Sequence, residues 1–321
     1  MIAVVIPCYR VKKQILGVLS GVGAECDAIY VVDDGCPEHT GDHVEAECRD
    51  PRVRVIREER NRGVGGATMS GLRAAIADGA EIVVKLDGDG QMDPDLIPLL
   101  VQPILDGEAD YTKGNRFFEL SGLGAMPRMR LAGNSILSFA AKLSTGYWNL
   151  FDPNNGFTAI HAAVARALPF EKISPGYFFE SDLLFRLGIL RAVVCDVPMP
   201  AIYGEEKSSL VIRRVMAIFA FKHVVNTAKR IFYGYYLRSF NIASIEILVG
   251  LAFLAFGLWF GATQWVEGIR LGIPATSGTV MLAALPVIIG TQLILAFLSY
   301  DLQNVPREIL HRRLRGPRSR T

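Results

Sequence analysis

The sequence predicts an α/β domain followed by a helical hairpin of membrane-span length. Three observations carry this. Short β-branched runs alternate with helical stretches over the first two-thirds of the chain; carboxylates recur at the ends of those runs; and the last third turns apolar and basic. The runs "IAVVIP", "AIYVVDDG", "VRVIREE" and "EIVVKLD" read as buried strands. Strands separated by helical segments predict βαβ units and a mainly parallel sheet. In such open sheets, ligands bind beyond the carboxyl ends of the strands. Pro7-Cys8-Tyr9, Asp33-Asp34 and Asp87-Gly88-Asp89 all fall at such ends, so the polar groups of this half converge on one crevice.

The chain has 321 residues, enough for one large domain or two modest ones. Half of them are hydrophobic and the mean hydropathy is +0.28, high for a purely soluble protein. A formal net charge of +2 gives no global nucleic-acid signal. Five scattered cysteines, an odd number, point to a reduced, cytosolic setting rather than a disulfide framework. The opening "MIAVVIPCYR" lacks a basic region and a small-residue cleavage site, which predicts no signal peptide.

The stretch "KLDGDGQMDPDLI" crowds Asp87, Asp89 and Asp93 into seven residues directly after a strand. Residues i and i+2 of a strand face the same way, so Asp87 and Asp89 can present two carboxylates to one point. A divalent cation would remove their repulsion, and hard oxygen donors suit Mg²⁺ or Mn²⁺. Gln91 could add a neutral oxygen. The Gly-rich "NRGVGGAT" is not G-x-G-x-x-G and follows the third strand rather than the first, which disfavours a nicotinamide cofactor. Its glycines fit a tight turn, and the helix N-terminus behind it could help hold an anion. "CPEHTGDHVEAEC" holds Cys36, His39, His43 and Cys48 but matches no common zinc spacing.

From about residue 210 the composition changes. Residues 210–240 mix apolar side chains with six Lys and Arg and end in an aromatic cluster, which reads as helices lying in a membrane interface. Residues 242–262 carry one charge, Glu246, and residues 280–298 carry none. Each is long enough to cross about 30 Å of hydrocarbon. The loop between them is poor in Lys and Arg, while Lys229, Arg230 and Arg238 precede the pair and Arg307, Arg312, Arg313, Arg315, Arg318 and Arg320 follow it. The positive-inside rule then places both termini in the cytoplasm at the inner or plasma membrane. The resulting division is residues 1–209, the α/β domain; 210–240, juxtamembrane amphipathic helices; 241–299, the hairpin; and 300–321, a basic tail.

Taken in order, "VVIPCYR…VVDDG…NRGVGGA…KLDGDGQ" resembles glycosyltransferase family 2, enzymes of the GT-A fold that use nucleotide-sugar donors. The likeness covers about residues 2–210 and is nearest to the dolichol-phosphate mannose synthase and bacterial polyprenyl-phosphate branch. It implies that Pro7, Tyr9, Asp33, Asp34 and Asp87 meet the donor nucleotide, UDP- or GDP-linked, and that Asp87, Asp89 and Gln91 hold Mg²⁺ or Mn²⁺. Arg10 stands where the family commonly has an acid, which leaves the base contacts open. By the same resemblance Arg116, Arg128, Arg130 and Lys207 bind the acceptor phosphate, with Asp152 and Asn155 as polar candidates nearby. Asp89, Arg116 and Asp182 are the catalytic candidates. Asp182, beside Glu180 in "YFFESDLLF", sits where hydroxyl-acceptor members keep a general base. The implied reaction is inverting transfer of a hexose to a polyprenyl phosphate, with a homo-oligomer as the family expectation. A lipid-linked saccharide hydroxyl is the alternative acceptor, and a non-catalytic membrane scaffold the alternative class.

Overall fold

The structure, a computed structural model, describes residues 1–117, 128–200 and 212–314. Two compact units divide the chain. One comprises Met1–Thr227 with the segment from Pro306; the other is Ala228–Val305.

The first unit is built on a seven-stranded mixed sheet. Its strands are β1 (Ile2–Cys8), β2 (Ala28–Asp33), β3 (Val53–Arg57), β4 (Ile82–Lys85), β5 (Tyr111–Asn115), β6 (Thr158–His161) and β7 (Val194–Pro198). Their order is β3-β2-β1-β4-β6-β5-β7. The first four pair in parallel, as the alternating pattern predicts, whereas β6 runs antiparallel to both β4 and β5. Strands β1, β2 and β4 are fully or nearly fully covered, as expected for strands with helices on both faces. The helices are α1 (Ile15–Gly21), α2 (Thr40–Glu47), α3 (Gly63–Ala77), α4 (Ile97–Leu105), α5 (Arg128–Thr145), α6 (Ala162–Arg166), α7 (Phe179–Leu190) and the first sixteen residues of α8 (Ile212–Ile231). One core cluster joins Val4, Ile6, Ile29, Val31 and Val84 of the sheet to Ile15, Val18 and Leu19 of α1 and to Ile97, Leu100 and Ile104 of α4.

The second unit holds α9 (Ile242–Leu271) and α10 (Ser277–Gln303), preceded by a π-helical turn, Phe232–Arg238. Both helices are long and apolar enough to cross a membrane, and few of their side chains are covered by protein. They run well past the expected spans of residues 242–262 and 280–298, and the loop shortens to residues 272–276. Gly272, with φ +66°, ends α9, and the Thr276 hydroxyl accepts from Thr279 N–H to start α10. The helices approach closely where glycines face each other: a Cβ on Gly290 would stand 2.8 Å from the Gly250 carbonyl oxygen. Within this unit Arg230 forks onto Asp301 at 2.7 and 2.9 Å, and the Tyr235 hydroxyl donates to the same carboxylate. Part of the basic flank is thus neutralised by an acid at the end of α10.

The chain rejoins the first unit after the hairpin. Helix α11 (Leu310–Leu314) packs by α6. Asp110, fully buried, accepts hydrogen bonds from the backbone N–H groups of Val193, Leu310 and His311 and pairs with His311 Nδ1 at 2.8 Å. The His311 ring stacks on that of His161 with centroids 4.2 Å apart. His161 Nδ1 accepts the N–H of Ala163 and so caps α6. The segment expected as a basic tail thus includes a stretch anchored on the first unit.

Candidate active site

Strand β1 lies between β2 and β4, and their carboxyl ends open into one cleft of about 420 Å³. Pro7, Cys8 and Tyr9 line it from β1, Asp34 from beyond β2, and Asp87, Gly88 and Asp89 from beyond β4. Asn61, Gly63, Val64 and Ala67 close it from the start of α3, and Gly176 and Tyr177 from the approach to α7. Five of the candidate residues thus meet: Pro7, Tyr9, Asp34, Asp87 and Asp89. Tyr9 is half-exposed at the rim, with the Arg10 guanidinium 5.4 Å from its ring centre. Arg10 adopts φ +59°, a left-handed conformation uncommon for a non-glycine residue, and its N–H donates to Cys36 Sγ at 3.1 Å.

The two carboxylates come together for a different reason than the one expected. Strand β4 ends at Lys85, so Asp87 and Asp89 stand in the following turn and not on one strand face. Asp89 Oδ1 accepts the N–H of Gln91 at 3.0 Å. The Gln91 side chain is not part of the cleft lining. Asp87 is held by a residue that sequence reasoning missed. Lys85, almost fully buried, places Nζ 2.8 Å from Asp87 Oδ1 and 3.2 Å from Glu180 Oε1. Burial alone would push its pKa down; the charges of Asp87 and Glu180 outweigh that and raise it. A lysine inside an otherwise apolar strand was the available signal. The loop before β6 passes directly over this group, since a Cβ on Gly156 would meet Lys85 Nζ and Asp87 Oδ2.

The register extends the polar row across the sheet. Lys85 of β4 pairs with Thr158 of β6, Thr158 with Lys113 of β5, and Lys113 with Asp196 of β7. Lys113 is buried and its Nζ has no hydrogen-bond partner among the described residues. Burial lowers its pKa, partly offset by Asp152 and Asp196.

Other candidates are engaged by the protein itself. Asp33 lies outside the cleft: its two oxygens accept the N–H groups of Cys36 and Gly41 and fix the turn into α2. Asp34 reaches the cleft, but its oxygens accept the N–H groups of Arg62 and Gly63. Its pKa is raised by burial, against those two hydrogen bonds. Gly65 and Gly66 donate to the carbonyl of Pro175. The start of α3, expected to help hold an anion, therefore has four of its N–H groups bound to protein oxygens. Arg116 forks onto the buried Asp152, Nε to Oδ2 at 2.8 Å and Nη2 to Oδ1 at 3.1 Å. Asn155 is buried and donates to Met199 Sδ. Asp182 does not enter the cleft. It is buried, accepting from Ser174 N–H at 2.8 Å, from Asn226 Nδ2 at 3.2 Å and from Arg186 Nη2 at 3.3 Å. Lys207 lies outside the described residues, as do the side chains of Arg128 and Arg130 at the start of α5.

Residues 3–168, about half the chain, match the model of Glycosyl transferase family 2. The chain belongs to this family. It is 31% identical over 219 residues to the UDP-N-acetylglucosamine–dolichyl-phosphate N-acetylglucosaminyltransferase of Methanococcus voltae, covering 64% of this chain and 87% of that one. Identity is 30% over 213 residues to the undecaprenyl-phosphate mannosyltransferase of Micrococcus luteus, covering 64% and 86%. Among solved structures, glucosyl-3-phosphoglycerate synthase of Mycobacterium tuberculosis superposes with TM-score 0.56 at 21% identity, over 71% of this chain and 80% of that one. At that identity the likeness establishes the fold, which is GT-A. The protein is a glycosyltransferase of family 2, with the cleft beyond β1, β2 and β4 as its candidate active site.

Proposed function

We propose that this glycosyltransferase moves one hexose from a nucleotide sugar to a polyprenyl phosphate at the cytosolic leaflet, with inversion. The observation that carries the reading is that the two relatives it spans over 87% and 86% of their length are both named for transfer to a dolichyl or undecaprenyl phosphate. The state of Asp182 favours phosphate over hydroxyl. A hydroxyl acceptor needs a base to take its proton, whereas a phosphate monoester, with a second pKa near 6, is largely ionised at pH 7. Asp182 is buried and hydrogen-bonded on both oxygens, which takes the candidate base out of the cleft.

A phosphate oxygen attacks the anomeric carbon from the face opposite the nucleotide. The new C–O bond forms as the bond to the nucleoside diphosphate breaks, and no proton moves. Pro7, Tyr9 and Asp34 would seat the nucleoside. Asp87 and Asp89 suit a divalent ion, since both are half-buried hard oxygen donors on one cleft. Mg²⁺ or Mn²⁺ bound there would stabilise the charge that grows on the departing diphosphate. Arg116, with its fork oriented by Asp152, and Arg128, Arg130 and Lys207 are the cations proposed for the acceptor phosphate.

Helices α9 and α10 would hold the enzyme where its lipid acceptor resides. Both termini are proposed to be cytoplasmic. Supporting this, the segment after α10 packs into the catalytic unit through His311 and Asp110, so the chain leaves that unit before the hairpin and rejoins it afterwards. The test is transfer of labelled sugar from a panel of UDP- and GDP-sugars to undecaprenyl phosphate, undecaprenol or a lipid-linked saccharide. Product with the phosphate alone is expected; product only with a saccharide acceptor overturns the reading in favour of hydroxyl transfer.

A further inference from the structure

Besides the strand ends and the start of α3, the donor cleft has one further wall. Gly176 and Tyr177 form it, in the short stretch before α7. Three groups hold that stretch. The Pro175 carbonyl accepts the N–H groups of Gly65 and Gly66 at 2.8 and 3.2 Å, tying it to the start of α3. Ser174 N–H donates to Asp182 Oδ2 at 2.8 Å, tying it to α7. The Ser174 hydroxyl is bonded to Lys222 Nζ at 3.0 Å, tying it to α8.

The tie to α8 is doubled. Asn226, one turn beyond Lys222, donates Nδ2 to Asp182 Oδ1 at 3.2 Å, and both side chains are buried. The Phe178 ring packs edge-on against Phe219 and His223 of the same helix face, with the Lys222 ammonium 5.1 Å from its centre. One carboxylate thus bridges the backbone of the cleft wall and the side of α8. Gly63, at φ +80°, lies so close that a Cβ there would stand 2.7 Å from the Pro175 carbonyl. A shift of α8 cannot move Ser174 without moving the wall or the start of α3.

We propose that Asp182 and Asn226 form a clamp through which α8, by way of Ser174, sets the cleft wall at Gly176 and Tyr177, so that Asp182 is a positioning residue for the donor. The inference rests on the reading of this cleft as the nucleotide-sugar site. It predicts an effect on donor affinity, where a base role for Asp182 predicts an effect on turnover.

The experiment is calorimetric binding of UDP and GDP with Mn²⁺ to the full-length protein in detergent, beside donor KM and kcat. Asn226→Asp sets two carboxylates against each other and should weaken nucleotide binding about tenfold, the scale of one lost buried hydrogen bond. The exchange of Asp182→Asn with Asn226→Asp rebuilds the bond with roles reversed: the amide now at position 182 can accept from Ser174 N–H and donate to the carboxylate now on α8. Binding should return to within about threefold of the parent with kcat largely kept. Lys222→Met should weaken binding a few-fold by itself, and it stands in for Asn226→Asp if that chain does not fold. Parent-like affinity in both single variants overturns the clamp. So does an exchange variant that binds nucleotide normally but turns over about a hundredfold slower, which would make Asp182 the base. If the parent binds neither nucleotide, it is the donor-site reading that fails.

Discussion

Asp89 lines the cleft from a turn, with Oδ1 accepting the N–H of Gln91. Asp89→Ala should reduce transfer by orders of magnitude while the thermal midpoint moves little, since half-exposed site residues usually cost little stability. Near-normal activity of that variant, or full activity in excess EDTA, would remove the metal role. Lys85 behaves in the opposite way. Its ammonium is buried between two carboxylates, and removing one partner of a buried pair typically costs on the order of 3 kcal/mol. Lys85→Met should lower the thermal midpoint and the activity together. A variant as stable as the parent would show that Glu180 and Asp87 are adequately solvated without it.

Among the elements, the N-terminus of α6 and the middle of α8 each carry a buried neutral histidine. The pKa of His161 is pushed down to about 4 by burial and then by His311, and that of His223 to about 4 by burial. In the unfolded chain both titrate near 6.5. Above that pH neither state is protonated and nothing is lost. As pH falls from about 6.5 toward 4, the unfolded chain takes up protons that the native fold refuses, so stability drops, by up to about 3 kcal/mol for each group. His223 meets Ser144 Oγ through Nδ1 and burial accounts for its shift, so His223→Asn isolates one such contribution. The thermal midpoint of His223→Asn should fall less steeply between about pH 7 and 4.5 than that of the parent; parallel curves would refute a buried neutral imidazole. The α9–α10 contact has its own weak point. Gly290→Val would drive side-chain atoms into the Gly250 carbonyl and the Leu254 amide. It should open the hairpin to protease in detergent, while Gly278→Val, where a Cβ would meet only the Thr276 hydroxyl at an ordinary 3.9 Å, should not.

For the whole molecule, the proposed topology makes a directional prediction. In intact cells a membrane-impermeant thiol reagent should label Ser277→Cys, at the start of α10, and spare Ser319→Cys. Labelling of Ser319→Cys alone would invert the topology and remove a cytosolic donor with it. The return of the chain to the catalytic unit adds a second expectation. Asp110→Ala would orphan the N–H groups of Val193, Leu310 and His311 in a buried place, at roughly 1–3 kcal/mol for each unsatisfied group. Proteolysis between α10 and α11 should then accelerate, without a matching change in nucleotide binding.

The first four strands, the carboxylate-bearing turn and the two apolar helices were legible in the sequence because their signals are local: β-branched runs bounded by turns, three aspartates in seven residues, and uncharged stretches of span length. Strands β5 and β7 were not, because "YTKGN" and "VCDVP" are short and carry polar residues, buried in β5 and partly buried in β7, that only cross-sheet pairing accounts for. The same division holds in the site. Sequence alone determined that Asp87 and Asp89 lie together and that Pro7, Tyr9 and Asp34 face them, since strand ends in an open parallel sheet share one edge. Only the tertiary structure decided which acids are available. Asp33, Asp34 and Asp182 look alike in sequence, yet each has oxygens bound to backbone donors from other turns and helices, and Lys85 meets Glu180 across 95 residues. A carboxylate's partners are set by which segments fold against it, and that distance in space is not written in its neighbours along the chain.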